Sequence, residues 1–112
     1  YPFVDTSSGG GIRGLIRAVD RILALADERT RIIPGHGPLS TRAELLEYRT
    51  MLQTVTDRVA ALVAEGRSAE EVLAAAPSAE FDAKWGRSFL PPERWVPMVY
   101  ADLAREASRA KP

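Results

Sequence analysis

Apolar residues recur three and four positions apart near the start of the chain: Ile12, Leu15, Ile16, Val19, Ile22, Leu23 and Ala26. Arg13, Arg17, Asp20 and Arg21 fall on the opposite face. This spacing predicts an amphipathic helix from Ile12 to Asp27 that needs a helix or a sheet beneath it. A longer stripe follows through Leu45, Tyr48, Leu52, Val55, Val59 and Leu62, with Met51 and Val63 beside it. It predicts a helix of about five turns. Thr41-Arg42-Ala43-Glu44 has the capping-box pattern that opens such a helix, and Gly66 is placed to close it. Ser68-Ala69-Glu70-Glu71 repeats the pattern and predicts a short helix over Ala69–Ala76, stopped by Pro77. Pro91-Pro92-Glu93 opens a last helix, with Val96, Val99, Tyr100, Leu103 and Ala107 as its apolar stripe. Pro97 falls in its early turns, and the tail from Arg105 to Pro112 is expected to fray.

Between these helices the pattern changes. Tyr1-Pro2-Phe3-Val4-Asp5 reads as an extended stretch, and Thr6 to Gly11 as a turn-rich loop. Thr30 to Ile33 reads as a strand, cut off by the rigid loop Pro34-Gly35-His36-Gly37-Pro38. Ser78 to Leu90 reads as a linker with Phe81, Trp85 and Phe89 as aromatic anchors. Ile32-Ile33 has no pairing partner of comparable quality, and one strand makes no sheet. With Tyr1 in place of an initiator methionine, the expectation is a piece of a larger α/β protein.

Composition narrows the chemistry. The 112 residues are 46% hydrophobic and 27% charged, and fifteen basic side chains balance fifteen acidic ones. A balanced chain has no global pull toward nucleic acid or an anionic membrane. No apolar run approaches the ~20 residues of a membrane span, and no signal peptide is visible. The expectation is a soluble chain of undetermined compartment, cytoplasmic or periplasmic, that binds neither nucleic acid nor membrane. The absence of cysteine excludes a disulfide framework, a thiolate metal site and a cysteine nucleophile.

His36 is the only histidine. Its loop presents one imidazole at the end of a strand, with glycines that admit a close approach of backbone and prolines that limit conformational freedom. Such a placement suits a metal ligand, since neutral imidazole is a common one.

Ile33-Pro34-Gly35-His36-Gly37-Pro38, after a helix and a short strand and before a long helix, resembles the last metal-binding motif of the metallo-β-lactamase superfamily. Tyr1-Pro2-Phe3-Val4-Asp5 with Ser7-Ser8-Gly9-Gly10 is similar to the segment after the bridging aspartate in one branch. Phe81-Asp82, Trp85-Gly86, Phe89 and Tyr100 are similar to the tail of bacterial members labelled cyclase or hydrolase. The similarity covers nearly the whole chain but only the final part of the family's fold.

The resemblance implies an α/β architecture, the C-terminal part of an αββα sandwich. Residues 1–39 would end the metallo-β-lactamase-like domain, and residues 40–112 would form a helical C-terminal extension. It implies a metal-dependent hydrolase with His36 as a ligand of the second metal, zinc, at a two-zinc site in the complete parent. The implied partners are the upstream part of the same polypeptide, a small-molecule substrate and, in some relatives, a second copy in a dimer. The His-x-His-x-Asp-His motif, the next metal-binding histidine and the bridging aspartate are all absent. A catalytic zinc needs about three protein ligands, so the isolated piece is expected to be inactive. No catalytic or substrate-binding residue is assigned.

Other candidates have plainer readings. Asp5 could be a ligand but reads better as a turn or cap residue. Gly9-Gly10-Gly11 could cradle an anion at a helix N-terminus, but it lacks the P-loop lysine and reads better as a loop, with Ser7 or Ser8 as cap. Ser40 and Thr41 have no base nearby in sequence. Met51 and Met98 are core fillers, and Trp85 and Trp95 read as anchors of an irregular segment, with the lining of a substrate mouth or a subunit contact as the alternatives. The alternative function, from a different class, is a non-catalytic interaction module whose contact face is the 45–62 seam.

Overall fold

The computed structural model describes residues 11–27, 31–32, 40–86 and 90–110. The first helix, α1, spans Ile12–Leu25 and buries Ile12, Ile16, Val19 and Leu23, the centre of the expected stripe. Ile22 lies at the stripe's edge and stays 43% exposed. A two-residue strand β1 (Arg31–Ile32) pairs antiparallel with β2 (Ser40–Thr41), Arg31 opposite Thr41 and Ile32 opposite Ser40.

Helix α2 follows at once over Arg42–Ala64. Both halves of its capping box are made: the Glu44 amide donates to Thr41 Oγ1 at 3.2 Å, and the Thr41 amide donates to Glu44 Oε1 at 3.3 Å. Two otherwise orphaned amides are thereby satisfied, and the carboxylate sits at the positive end of the helix dipole. The helix stops at Gly66, whose φ of 79° is a left-handed conformation that glycine adopts without penalty. Helix α3 (Ala69–Ala74) repeats the box with Ser68 and Glu71. It ends two residues earlier than its apolar pattern predicts, because Ala76 turns to φ 51° ahead of Pro77. For alanine that turn costs roughly 1–2 kcal/mol.

The segment read as a linker carries local order. A 3₁₀ turn, Ala79–Phe81, runs into a one-turn helix α4, Asp82–Trp85. The Ser78 hydroxyl donates to Asp82 Oδ1 at 2.7 Å, and Arg58 from α2 donates to the Pro77 carbonyl at 3.0 Å. Gly86 ends α4 where a Cβ would sit 2.8 Å from the Asp82 carbonyl oxygen, so a larger residue would not fit this backbone. The last helix, α5, runs over Pro92–Ala110. It runs helical through Arg105 to Ala110, within the stretch where fraying is expected. Pro97 is tolerated within it, at the cost of one amide donor.

Helices α1 and α5 both pack against α2, and α3 packs against α5. Met51, Leu52, Val55 and Val59 of α2 meet Trp95, Val96, Val99 and Leu103 of α5 in one buried cluster, which the α1 stripe and Val72 complete. Fully burying each such side chain contributes about 1.5–3 kcal/mol. The apolar seam of residues 45–62 is thus spent inside the chain's own core.

The α/β expectation is corrected here. The described residues form a helical globule, and their β structure is one two-residue antiparallel pair, not a layer of a sandwich. Two residues a side supply backbone pairing but no apolar face on which a helix could stack. The helices bury their stripes on one another instead.

Titration supplies a test of this packing. The Arg49 guanidinium lowers the pKa of Asp20, that of Arg58 lowers Glu80, and hydrogen bonding from the Ser68 amide lowers Glu71. Each carboxylate is more acidic folded than unfolded. Its contribution is full above the ordinary carboxylate range and declines as pH falls through the folded value. Tyr48 behaves oppositely: burial pushes its phenol up to about 12. Stability held by the neutral phenol is full below an ordinary tyrosine pKa of about 10 and is lost as pH rises toward 12. Urea denaturation across pH should show both limbs, with Tyr48→Phe flattening the alkaline one. An alkaline limb identical in the variant would show that Tyr48 is not buried as described.

Candidate functional site

The expected chemistry centres on the loop that follows β1. His36 itself lies outside the described residues, but the ends of its loop do not. Pairing of Arg31–Ile32 with Ser40–Thr41 brings those ends together, so residues 33–39 close a loop on a two-rung ladder. The capping box of α2 starts on the last residue of that ladder. The pairing partner of Ile32 is a Ser-Thr pair that reads in sequence only as a helix cap. Backbone hydrogen bonds form it, so side-chain type gives little notice of it.

The chain does not assemble a metal centre from what is described. Among the described residues, no group of three or more His, Cys, Asp or Glu side chains could hold a metal ion. A catalytic zinc takes about three protein ligands and a water, so His36 would need donors from beyond these residues. The metal-binding expectation therefore gains no support from the described side chains. Asp5, Ser7, Ser8, Gly9 and Gly10 also lie outside the described residues.

The N-terminus of α1, read as a loop that could cradle an anion, holds an anion from its own chain. Gly11 is the N-cap and provides no side-chain cap. Asp102 of α5 takes that role: the Ile12 amide donates to its Oδ2 at 2.8 Å. A Cβ on Gly11 would lie 3.0 Å from the same oxygen, so glycine lets the carboxylate come this close. Arg13 donates to both oxygens of Glu106, at 3.0 and 2.9 Å. The first turn of α1 is thus held by two carboxylates of α5. Sequence reasoning missed Asp102, because a cap ninety residues away leaves no local signature.

Thr41 spends its hydroxyl on the capping box, which accounts for it without a nucleophilic role. Trp95 is fully buried in the core and lines no mouth. Trp85 is partly buried at the surface, its ring centroid 5.3 Å from that of Tyr48 and tilted by 54°. Together with Leu46, Thr50 and Phe81 it walls an open groove of about 430 Å³ between α2 and the 79–85 segment. Ala43, in the first turn of α2, lies at the same groove, two residues from the ladder that closes the 33–39 loop. Glu47 and Lys84 pair across it, and Glu80 at its edge pairs with Arg58.

No helix among the described residues is long and apolar enough to cross a membrane. No protein-family model matches this chain, and neither does any curated protein or solved structure.

Proposed function

We propose that this chain is the C-terminal, helical part of a metal-dependent hydrolase related to the metallo-β-lactamase superfamily, to which it contributes one zinc ligand, His36. The observation that supports this is the closed loop: Pro34-Gly35-His36-Gly37-Pro38 falls between two paired strands and ahead of a doubly capped helix. The remaining ligands belong to the upstream part of the same polypeptide, so the chain by itself has no hydrolytic activity. The substrate is a small molecule, of a class this chain does not define. The alternative of an interaction module built on residues 45–62 loses its contact face, because Met51, Leu52, Val55 and Val59 are fully buried within the chain.

The test compares the 112-residue chain with the longer polypeptide this proposal requires, each with and without His36→Ala. Metal content is read by elemental analysis, and hydrolysis is read on a panel of thioesters, lactones, phosphodiesters and β-lactams. The chain alone is expected to bind no stoichiometric zinc. The longer polypeptide is expected to hold two zinc ions, as in two-metal sites, and His36→Ala to lose one of them with about a hundredfold or more of activity. Full metal content and activity in the longer His36→Ala variant would overturn the assignment. Tight zinc binding by the short chain, lost with His36, would place the missing donors within it.

A further inference from the structure

The geometry points to a conformational device: residues 79–85 form a strap that ionic strength releases from α2 while the helical bundle stays closed. This inference stands apart from the hydrolase proposal and needs no metal. Helices α1, α2, α3 and α5 bury apolar faces against one another. The 3₁₀ turn and the one-turn helix α4 instead pack their backbones chiefly on each other, and their ties to the body run through side chains.

Two of those ties are charge pairs at the surface. Glu80 accepts from Arg58 of α2 through both carboxylate oxygens, and Lys84 donates to Glu47 of α2. All four side chains are about half exposed. Such pairs are weak one by one and salt screens them, over about 10 Å at 0.1 M and about 3 Å at 1 M. The third tie is aromatic: Trp85 leans on Tyr48, and Phe81 is partly buried against the core. Both rings return to water on release, so the open form is a minor one, and the two charge pairs set how minor it is.

The ends of the strap fix where it swings. Pro77 and Ser78 are buried, and Arg58 also holds the Pro77 carbonyl. Just ahead of them Ala76 turns to φ 51°, a left-handed conformation that alanine resists. At the other end Gly86 lies close to α5, where a Cβ would sit 3.1 Å from Pro92 Cδ. A single helical turn does not stand alone in water, so the strap melts once it is detached. Its own hydrogen bonds then report the release: the Phe81 amide donates to the Ser78 carbonyl and the Gly86 amide to the Asp82 carbonyl, both at 2.9 Å.

Hydrogen exchange of the 112-residue chain in about 20 mM and about 500 mM KCl at one pH tests this, with rates taken relative to an unfolded peptide in the same salt. Salt is expected to speed exchange about threefold or more at Phe81 and Gly86, the scale of two screened surface pairs, and to leave Val55, Val59 and Val99 unchanged. The double variant Glu47→Gln with Glu80→Gln keeps both side-chain sizes and removes both pairs. At low salt it should exchange at Phe81 and Gly86 as fast as the parent does at high salt, and added salt should change it little; circular dichroism checks that its helices are intact. Equal acceleration at Val55 and Val59 would mean that salt loosens the whole bundle and would overturn the strap. So would unchanged exchange at Phe81 and Gly86. A double variant that keeps the parent's salt response would show that the charge pairs are not the latch, and would overturn it as well. None of these outcomes depends on zinc or on His36, so failure here leaves the hydrolase proposal standing, and the converse holds.

Discussion

Trp95→Ala is expected to destabilise the chain by about 3–5 kcal/mol, the usual cost of truncating a large aromatic in a packed core. Trp95 is fully buried beside Val96 and Val99, at the contact that joins α5 to α2. Removing it both returns apolar area to water and leaves a cavity that the helices on either side fill only in part. Small domains have about 5–15 kcal/mol in total, so this one change consumes a large share of it. The thermal midpoint should fall by roughly 10–20 °C. Urea denaturation followed by circular dichroism measures the loss. Trp95→Phe keeps most of the volume and should cost much less. A loss below about 1 kcal/mol for Trp95→Ala would mean that the residue is not the core anchor described here.

The second large effect is expected at a residue with no recognisable motif. Asp102→Ala should cost about 1–3 kcal/mol, because a hydrogen bond to a charged acceptor is lost and the part-buried Ile12 amide is left without it. Asp102→Asn keeps an acceptor oxygen within reach and should cost less than the alanine variant, since only the charge at the helix terminus goes. Hydrogen exchange separates this from a general loss of stability. Protection should fall first at the amides of the first turn of α1, well before those around Val55 and Val59. Equal loosening of α1 and α2 would sink the idea that Asp102 acts locally as a cap.

These two residues mark where the sequence is readable. Trp95 sits in a helix whose predicted stripe, Val96, Val99 and Leu103, is buried as expected, but Trp95 itself was read as the anchor of an irregular segment and not as part of that stripe. Thr41 with Glu44 and Ser68 with Glu71 are four-residue motifs, so both boxes are visible without a structure and both form. Interactions across long separations are not visible in this way. Asp102 reads as one more polar position on α5, and only the crossing of α5 over the start of α1 makes it a cap.

The fold class failed for a related reason. Ile32 and the loop after it resemble the end of a sheet, and that local likeness implied a layer of strands. The described chain supplies only Ser40–Thr41 as a partner, so the apolar faces of the helices close on one another. The short turns of residues 79–85 were also missed. They rest on the Ser78–Asp82 bond and on Arg58 reaching over from α2, and a seven-residue stretch is too short for apolar spacing to announce a helix. Of the candidate site, His36 was singled out by the residues around it and lies outside the described residues. The closure of its loop by a Ser-Thr strand was not legible in the sequence.

The bonds that link Ile12 to Asp102 and Arg13 to Glu106 also set a schedule for biosynthesis. At about 5–20 residues per second, the first helix emerges roughly 5 to 20 s before the carboxylates that hold it. For that interval its apolar stripe can already meet α2, but its first turn lacks the carboxylates that cap it. A stop anywhere before Asp102 would leave that turn uncapped for good, so the truncated chain should keep α1 against α2 with a frayed start.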